Sequence, residues 1–252
     1  MFTHTLTIMP TITRTITSTR MDITTTTESI DSLALLRLLQ LVSPALPIGA
    51  FNFSQGLEYA IEAGWIRDEA QAGRWIQGVA QQGVGTLDIP LLARMHTAWS
   101  AGDADGVRVL SRQLIASRET CELREEDRHL GRSLAKILIS LDLPQAEGWQ
   151  RSDEATLAAL FALAAVHSQV PLQATCVGYL WAWAENQVIA AVKLLPLGQT
   201  AGQRVLEGLR LTIPSICSAA LQLADEQIGT STPGVGIASA RHETQYTRLF
   251  RS

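Results

Sequence analysis

A stretch rich in proline and large apolar side chains, residues 43–62 (SPALPIGAFNFSQGLEYAIE), constrains the fold of this chain more than any other. Pro44 and Pro47 each fix their own φ angle and disfavour a helical conformation in the preceding residue. Gly49 can then adopt a backbone conformation that other residues reach only at a cost. We therefore predict an ordered loop between two helices, here called the proline loop (residues 43–56).

The proline loop is unusually apolar for a connection, because Ile48, Phe51 and Phe53 all lie within it. Most connections between helices are short and polar. A long apolar loop must pack either against the core of its own chain or against a partner, and composition leaves both open. Ser54 is predicted to cap a second helix, which follows directly and stops at Gly64.

Apolar residues recur at helical spacing throughout residues 31–224, and no stretch after residue 30 alternates as a β-strand does. We predict an all-α, single-domain bundle of about nine to ten helices. Its most apolar helix, residues 172–195, should be central, since a helix that is apolar on all sides must be buried. The last helix of the bundle, about 199–223, is predicted to be kinked or split at Pro214.

Helix starts are predicted from residues that can cap a free helix end. Asp68 should cap the third helix, and Asp88 should begin the fourth. The sixth helix is predicted to start near Ser117 and the seventh near Ser152. The run of charged residues 118–128, at the start of the sixth helix, is typical of a solvated face.

The two ends of the chain differ from this body. Twelve of the first 30 residues are Thr, and no second strand-like segment could pair with them, so we predict a disordered leader. The C-terminal tail, residues 225–252, begins as a loop that contains several glycines. Its terminal segment (residues 241–252, RHETQYTRLFRS) mixes aromatic and arginine side chains and should dock on the body or on a partner.

Composition is typical of a cytoplasmic globular protein. The formal net charge is −4 and nearly all basic residues are arginine, which argues against a nucleic-acid partner. The three cysteines are far apart and lie in apolar helical patterns, as expected for reduced core thiols. No apolar run reaches the roughly 20 residues of a membrane span.

The sequence lacks the common motifs of catalysis and metal binding. It has no phosphate-binding glycine loop followed by lysine, no C-x-x-C, no H-E-x-x-H and no G-x-S-x-G. Its five histidines are scattered, and each is more typical of a surface or core residue than of a ligand. We therefore predict no catalytic residue, no metal ligand and no cofactor.

Lys193 is the residue that fits a chain without functional side chains least well, because it lies on the most apolar helix. It could extend to solvent or present its charge to a partner. If it were buried, a small all-α enzyme could use it with an acidic partner such as Glu185, since burial lowers the pKa of a lysine. A third alternative is a GTPase-activating protein that supplies Arg118, Arg124 or Arg128 as an arginine finger.

Four blocks of the sequence together resemble the UreF family of urease accessory proteins. They are LLQLVSPALPIGAFNFSQGLEYAIEAGWI, RETCELREEDRHLGRSLAKIL, AVKLLPLGQTAGQRVL and RHETQYTRLFRS, in the order of the family. The resemblance covers about residues 33–252, everything except the leader. It implies an all-α homodimer that is not an enzyme. It also implies that this protein joins UreD (also called UreH) and the GTPase UreG to deliver nickel to apo-urease.

The same resemblance implies where the partners bind. The proline loop and Lys193 would face UreG, and the terminal segment would become ordered on UreD. The candidate UreG-facing residues are Pro47, Gly49, Phe51, Ser54, Gly56, Glu58, Lys193 and Arg248. The candidate UreD-facing residues are Tyr246, Leu249, Phe250 and Arg251.

Overall fold

The computed structural model describes residues 30–229 and 232–252, so the predicted leader lies outside it apart from Ile30. This part of the chain contains ten α-helices and no strand, which confirms the all-α prediction. None of these helices is both long and apolar enough to cross a membrane. The helices are α1 (Ser32–Val42), α2 (Leu57–Glu62), α3 (Glu69–Val79), α4 (Asp88–Ser100), α5 (Ala104–Ala116), α6 (Cys121–Ser140), α7 (Leu157–His167), α8 (Leu172–Leu194), α9 (Gln199–Ala220) and α10 (Pro233–His242).

Short polar side chains begin several helices by accepting hydrogen bonds from backbone N–H groups that lack a partner in the first turn. Asp68 accepts such a bond at 2.8 Å, which confirms the predicted start of α3. The predicted starts of α6 and α7 are too early. Thr120 caps α6 while Ser117 ends α5, and Thr156 rather than Ser152 caps α7.

Helix α8 is central, as its apolar sequence predicts. It packs along α9 and also contacts α1, α2, α3, α4 and α7. Close approach to α1 depends on Gly178, where a Cβ atom would lie only 2.6 Å from the Leu38 side chain. The core therefore surrounds α8, and the C-terminal end of this helix carries Lys193 to the surface.

Helix α9 runs without interruption through Pro214, which excludes the split that the sequence left open. A proline inside a helix lacks the N–H that would bond to the residue four positions earlier. The buried face of α9 compensates for that loss by packing on the core. It includes Leu206, Leu209, Ile213, Ile216 and Cys217.

Helix α10 was not predicted, because Gly234 and Gly236 favour a loop. Pro233 occupies the first turn, where a proline is tolerated. The helix packs against α2. Its buried side chains are Val235, Ala238, Ser239 and His242. Tertiary contact thus stabilises a helix that local propensity disfavours, and α10 brings the terminal segment back to the proline loop.

Candidate functional site

The proline loop has an inner and an outer face. Gly49 and Gly56 adopt left-handed backbone conformations, with φ angles of 81° and 78°. Ile48 and Phe53 point into the core and are 7 % and 4 % exposed, whereas Phe51 is 53 % exposed. The loop therefore packs on its own core and keeps one large apolar side chain on the outside.

Lys193 lies beside this exposed phenylalanine. Its Nζ atom is 5.7 Å from the ring centroid of Phe51 and 5.7 Å from that of Phe250. A cation at this distance from an aromatic face is attracted to it. Lys193 is exposed, so the enzyme alternative, which required a buried lysine, loses its premise. The loop, α8 and the terminal segment meet at this one surface.

The terminal segment runs alongside the proline loop. The Arg251 N–H donates to the Asn52 carbonyl at 2.7 Å, and the Ser54 N–H donates to the Ser252 carbonyl at 2.6 Å. Phe250 is only 6 % exposed. The sequence left docking on the body or on a partner open, and in this structure the segment packs on its own body.

Glu58 anchors the terminal segment from the inside. It is only 6 % exposed. Its carboxylate accepts hydrogen bonds from the N–H groups of Leu249 at 2.7 Å and Phe250 at 2.9 Å. One of its oxygens also lies 3.1 Å from His242 Nε2. Because His242 and the N–H groups of two residues of the segment all meet this one buried carboxyl, Glu58 is a main attachment point of the segment.

Ser54 and Gly56 are buried as well, and they support the loop from within. Gly56, not the predicted Ser54, is the N-cap residue of α2. The Ser54 hydroxyl accepts from the Glu58 N–H at 3.3 Å and donates to the Ser252 carbonyl. A Cβ atom on Gly56 would lie 2.7 Å from the backbone nitrogen of Ser239 in α10. These contacts leave the outward surface to other residues.

Several of the residues matched to the family do have exposed side chains. On the loop side these are Pro47, Phe51 and Lys193, while Gly49 is half-buried. In the terminal segment Tyr246 is fully exposed and Leu249 is 66 % exposed. The remaining matched residues there are Arg248 and Arg251, both exposed. The loop side and the terminal segment therefore both present exposed side chains, whereas the matched Phe250 is buried.

A charged layer lies inside the fold next to the proline loop. Arg118 binds the carboxylates of Asp88 and Asp127, each at 2.6 Å. Both carboxylates are buried, and the Tyr179 hydroxyl donates to Asp88 at 3.3 Å. The solvated face expected for residues 118–128 is therefore wrong for Arg118 and Asp127, because their charges pair with each other and with Asp88 inside the fold.

Burial and mutual charge change the titration of this layer. Burial alone would lower the pKa of Arg118, but Asp127 and Asp88 raise it well above its ordinary value. Burial raises the pKa of Asp127 despite the neighbouring Arg118. Burial and the Asp88 charge raise the pKa of Tyr179. Arg118 consequently stays charged and Tyr179 stays protonated at neutral pH.

Gln55 joins the proline loop to α6 and α8. Its side-chain amide donates to Glu126 at 2.9 Å and accepts from Trp183 Nε1 at 2.8 Å. These bonds hold Gln55 in a left-handed conformation, with φ of 54°, that residues other than glycine rarely adopt. Glu126 also accepts from the Ser252 hydroxyl at 2.8 Å. Burial raises the pKa of Glu126 to about 7, so this carboxyl titrates near neutral pH.

A cavity of about 100 Å³ lies between the proline loop and the charged layer. Its walls are largely apolar side chains of α1, the loop, α6, α7 and α8. Four carboxyl groups and one guanidinium also line it, those of Asp88, Glu126, Asp127, Glu185 and Arg118. Across residues 30–229 and 232–252, no group of three or more His, Cys, Asp or Glu is arranged to hold a metal ion.

The three arginines considered as arginine fingers all have internal partners. Arg118 is held by its two carboxylates, and Arg124 donates to the Arg118 carbonyl at 2.8 Å. Arg128 donates to Glu125 at 2.6 Å and to the Asp153 carbonyl at 3.1 Å. An arginine finger must reach into another protein, so these contacts do not favour that alternative.

His242, Glu126 and Gln55 connect the C-terminal tail, α6 and the proline loop, and none of them was predicted to have a role. No local pattern marks them, since His242 meets Glu58 across 184 positions of the chain and Gln55 meets Glu126 across 71. The one available signal is that all three fall within the blocks that resemble the UreF family.

This is an all-α protein in which the proline loop and the terminal segment meet. Apolar and cationic side chains are exposed at that junction, and buried hydrogen bonds hold it together. A family model described as UreF matches residues 66–210. The chain is 51 % identical over 226 residues to the urease accessory protein UreF of Alkalilimnicola ehrlichii, and the aligned region covers 90 % of this chain and 99 % of the relative. It is 47 % identical over 220 residues to the urease accessory protein UreF of Hahella chejuensis, with 87 % and 99 % covered. This chain belongs to the UreF family of urease accessory proteins.

Proposed function

We propose that this chain is a non-catalytic, cytoplasmic scaffold. It joins UreD (UreH) and the GTPase UreG for the GTP-dependent insertion of nickel into apo-urease, and nickel is cargo in this process. Family membership supports the proposal, since the relatives are named urease accessory proteins. GTP hydrolysis in this scheme belongs to UreG.

The observation that carries the proposal is the cluster of Phe51, Lys193 and Phe250. It brings together three of the four blocks that resemble the family. A scaffold needs exposed binding groups on rigid supports, and aromatic and cationic side chains are typical of the residues that dominate binding energy. We assign the outer face of this cluster, with Pro47, to UreG.

A second surface is assigned to UreD. Tyr246 and Leu249 expose apolar side chains, and Arg251 adds an exposed cation in the same segment. Phe250 is buried in the hydrophobic core and instead fixes the segment to the body. The two proposed surfaces adjoin at Phe250, so a UreD-bound terminal segment would lie next to the UreG-facing cluster.

Homodimerisation completes the scheme. Helix α1 exposes three leucines spaced three residues apart, Leu33, Leu36 and Leu39, at 76 %, 62 % and 55 %. Residues at this spacing lie on one side of a helix. An apolar stripe of this kind is better buried against an identical copy than left in water. We assign the dimer contact to it.

The test is size-exclusion chromatography with light scattering on this chain mixed with UreD and UreG of the same organism, with guanine nucleotide present. We expect one complex that contains all three proteins. Phe51→Ala and Lys193→Ala should each weaken UreG recruitment about tenfold or more while UreD stays bound, because each removes an anchor from the UreG face.

Leu211→Ala and Arg151→Ala are the matched controls, since both truncate exposed side chains on other parts of the surface. They should leave the complex unchanged. Loss of helical circular dichroism in the Phe51 or Lys193 variant would assign those residues to the fold instead. Absence of any complex, with all three proteins folded, would overturn the scaffold.

A further inference from the structure

His242 in α10 is completely buried, and each of its two ring nitrogens faces a carboxylate. Nδ1 lies 2.7 Å from Glu122 Oε2, and Nε2 lies 3.1 Å from Glu58 Oε2. A neutral imidazole carries one N–H, whereas an imidazolium carries two. With both carboxylates ionised, only the protonated ring can donate to both of them.

We propose that His242 is the positioning residue that seats residues 243–252 on the proline loop, and that it does so as an imidazolium. Both of its partners also bind that part of the chain. Glu58 accepts from the N–H groups of Leu249 and Phe250. Glu122 accepts from Arg248 at 2.8 Å. His242 therefore fixes the orientation of the two carboxylates that hold the terminal segment.

The charges around His242 balance only with this proton in place. Glu58 faces the ring from α2 and Glu122 faces it from α6, while Arg248 reaches Glu122 from the terminal segment. Two carboxylates then meet two cations. On the same helix end as His242, Arg241 is exposed, and the exposed Glu243 accepts hydrogen bonds from the N–H groups of Cys121 and Glu122, where the start of α6 stabilises its charge.

Loss of the proton would leave one nitrogen of the fully buried ring bare against a carboxylate oxygen, either of the buried Glu58 or of the half-buried Glu122. Such an arrangement is costly, because two lone pairs then face each other and the buried ring nitrogen has neither a donor nor access to water. The seated state binds a proton that the released state does not need. Seating is therefore favoured at lower pH and lost as the pH rises. This inference concerns one chain only and does not depend on the proposed partners.

Hydrogen exchange on the full chain tests it, measured from about pH 6 to about pH 9, a range that brackets the titration of an ordinary histidine. After correction for the intrinsic pH dependence of exchange, protection of the Leu249 and Phe250 amides should fall at least about tenfold more than that of α8 amides. In parallel, ¹⁵N NMR of the ring should report two ring protons while the segment is seated.

Glu122→Gln is the discriminating variant. Its amide can donate to the bare nitrogen of a neutral His242 while its carbonyl still accepts from Arg248, so the segment should stay seated at high pH. His167→Gln changes an exposed histidine elsewhere and should keep the wild-type pH profile. A ring with one proton in the seated state, or an unchanged pH profile in Glu122→Gln, would overturn the proposal.

Discussion

Glu58 and Gly56 lie two positions apart, and contacts from the other end of the chain define the roles of both. Glu58 binds His242, Leu249 and Phe250 through a single carboxylate. Gly56 lets the backbone of α10 approach to a distance that no side chain would allow. At the scale of single residues, this short stretch of the sequence is specialised for receiving the C-terminal tail.

A substitution at Gly56 separates backbone strain from close packing. Gly56→Ala should reduce the free energy of unfolding by about 2 to 4 kcal/mol, because the new Cβ is strained by the positive φ and also clashes with α10. Gly102→Ala is the control, since its φ of 73° is similar and nothing lies within 4 Å of the added atom. It should cost only about 1 kcal/mol. Equal losses in urea unfolding would show that the α10 contact contributes nothing.

At the scale of elements, α1 and α10 are two helices whose own sequences do not explain their environment. Helix α10 forms because it packs on α2, despite two glycines near its start. Helix α1 buries only Ala34 and Leu41 among its eleven residues and leaves leucines in solvent. Helix α10 buries its apolar side chains against its own chain. We expect the exposed leucines of α1 to be buried against a second copy.

The dimer assignment can be tested on α1 alone. Leu36→Glu should convert the proposed homodimer to a monomer at micromolar concentration, because a charge in the centre of an apolar contact must be desolvated. Light scattering measures the mass, and circular dichroism checks that the helices remain. Leu211→Glu introduces the same change at a leucine that is 67 % exposed on α9, and it should remain dimeric. A dimeric Leu36→Glu variant would place the contact elsewhere.

At the scale of the whole molecule, the buried carboxyl of Glu126 links stability to pH. Burial raises its pKa from 4.5 to about 7, so the folded state binds this proton more tightly than the unfolded chain does. The stability gained by protonating Glu126 is fully present below the pKa of this carboxyl in the unfolded chain. It is lost as the pH rises through the pKa of the carboxyl in the folded protein.

Glu126→Gln should therefore become more stable relative to the wild type between about pH 4.5 and about pH 7. The relative gain is at most about 3 kcal/mol, because one pKa unit corresponds to about 1.4 kcal/mol. Urea unfolding of both proteins across this range measures the difference. A difference that does not change with pH would mean that Glu126 does not titrate in the folded state at these values.

Local physical chemistry was sufficient for much of this protein. The helical period, the Asp68 cap and the uniformly apolar sequence of α8 predict an all-α fold with α8 at its centre, since each signal lies within a few residues. The proline pair likewise predicts an ordered loop. The resemblance of four sequence blocks indicated the UreF family, to which the chain belongs.

Only the tertiary structure decided which charged residues are buried and what they meet. Arg118 pairs with Asp88 across 30 positions, and His242 pairs with Glu58 across 184. A charged residue on an amphipathic helix is normally solvated, and its burial depends on a partner that no local pattern identifies. For the same reason Glu58 matched a partner-facing position in sequence, yet in the fold it binds the terminal segment of its own chain.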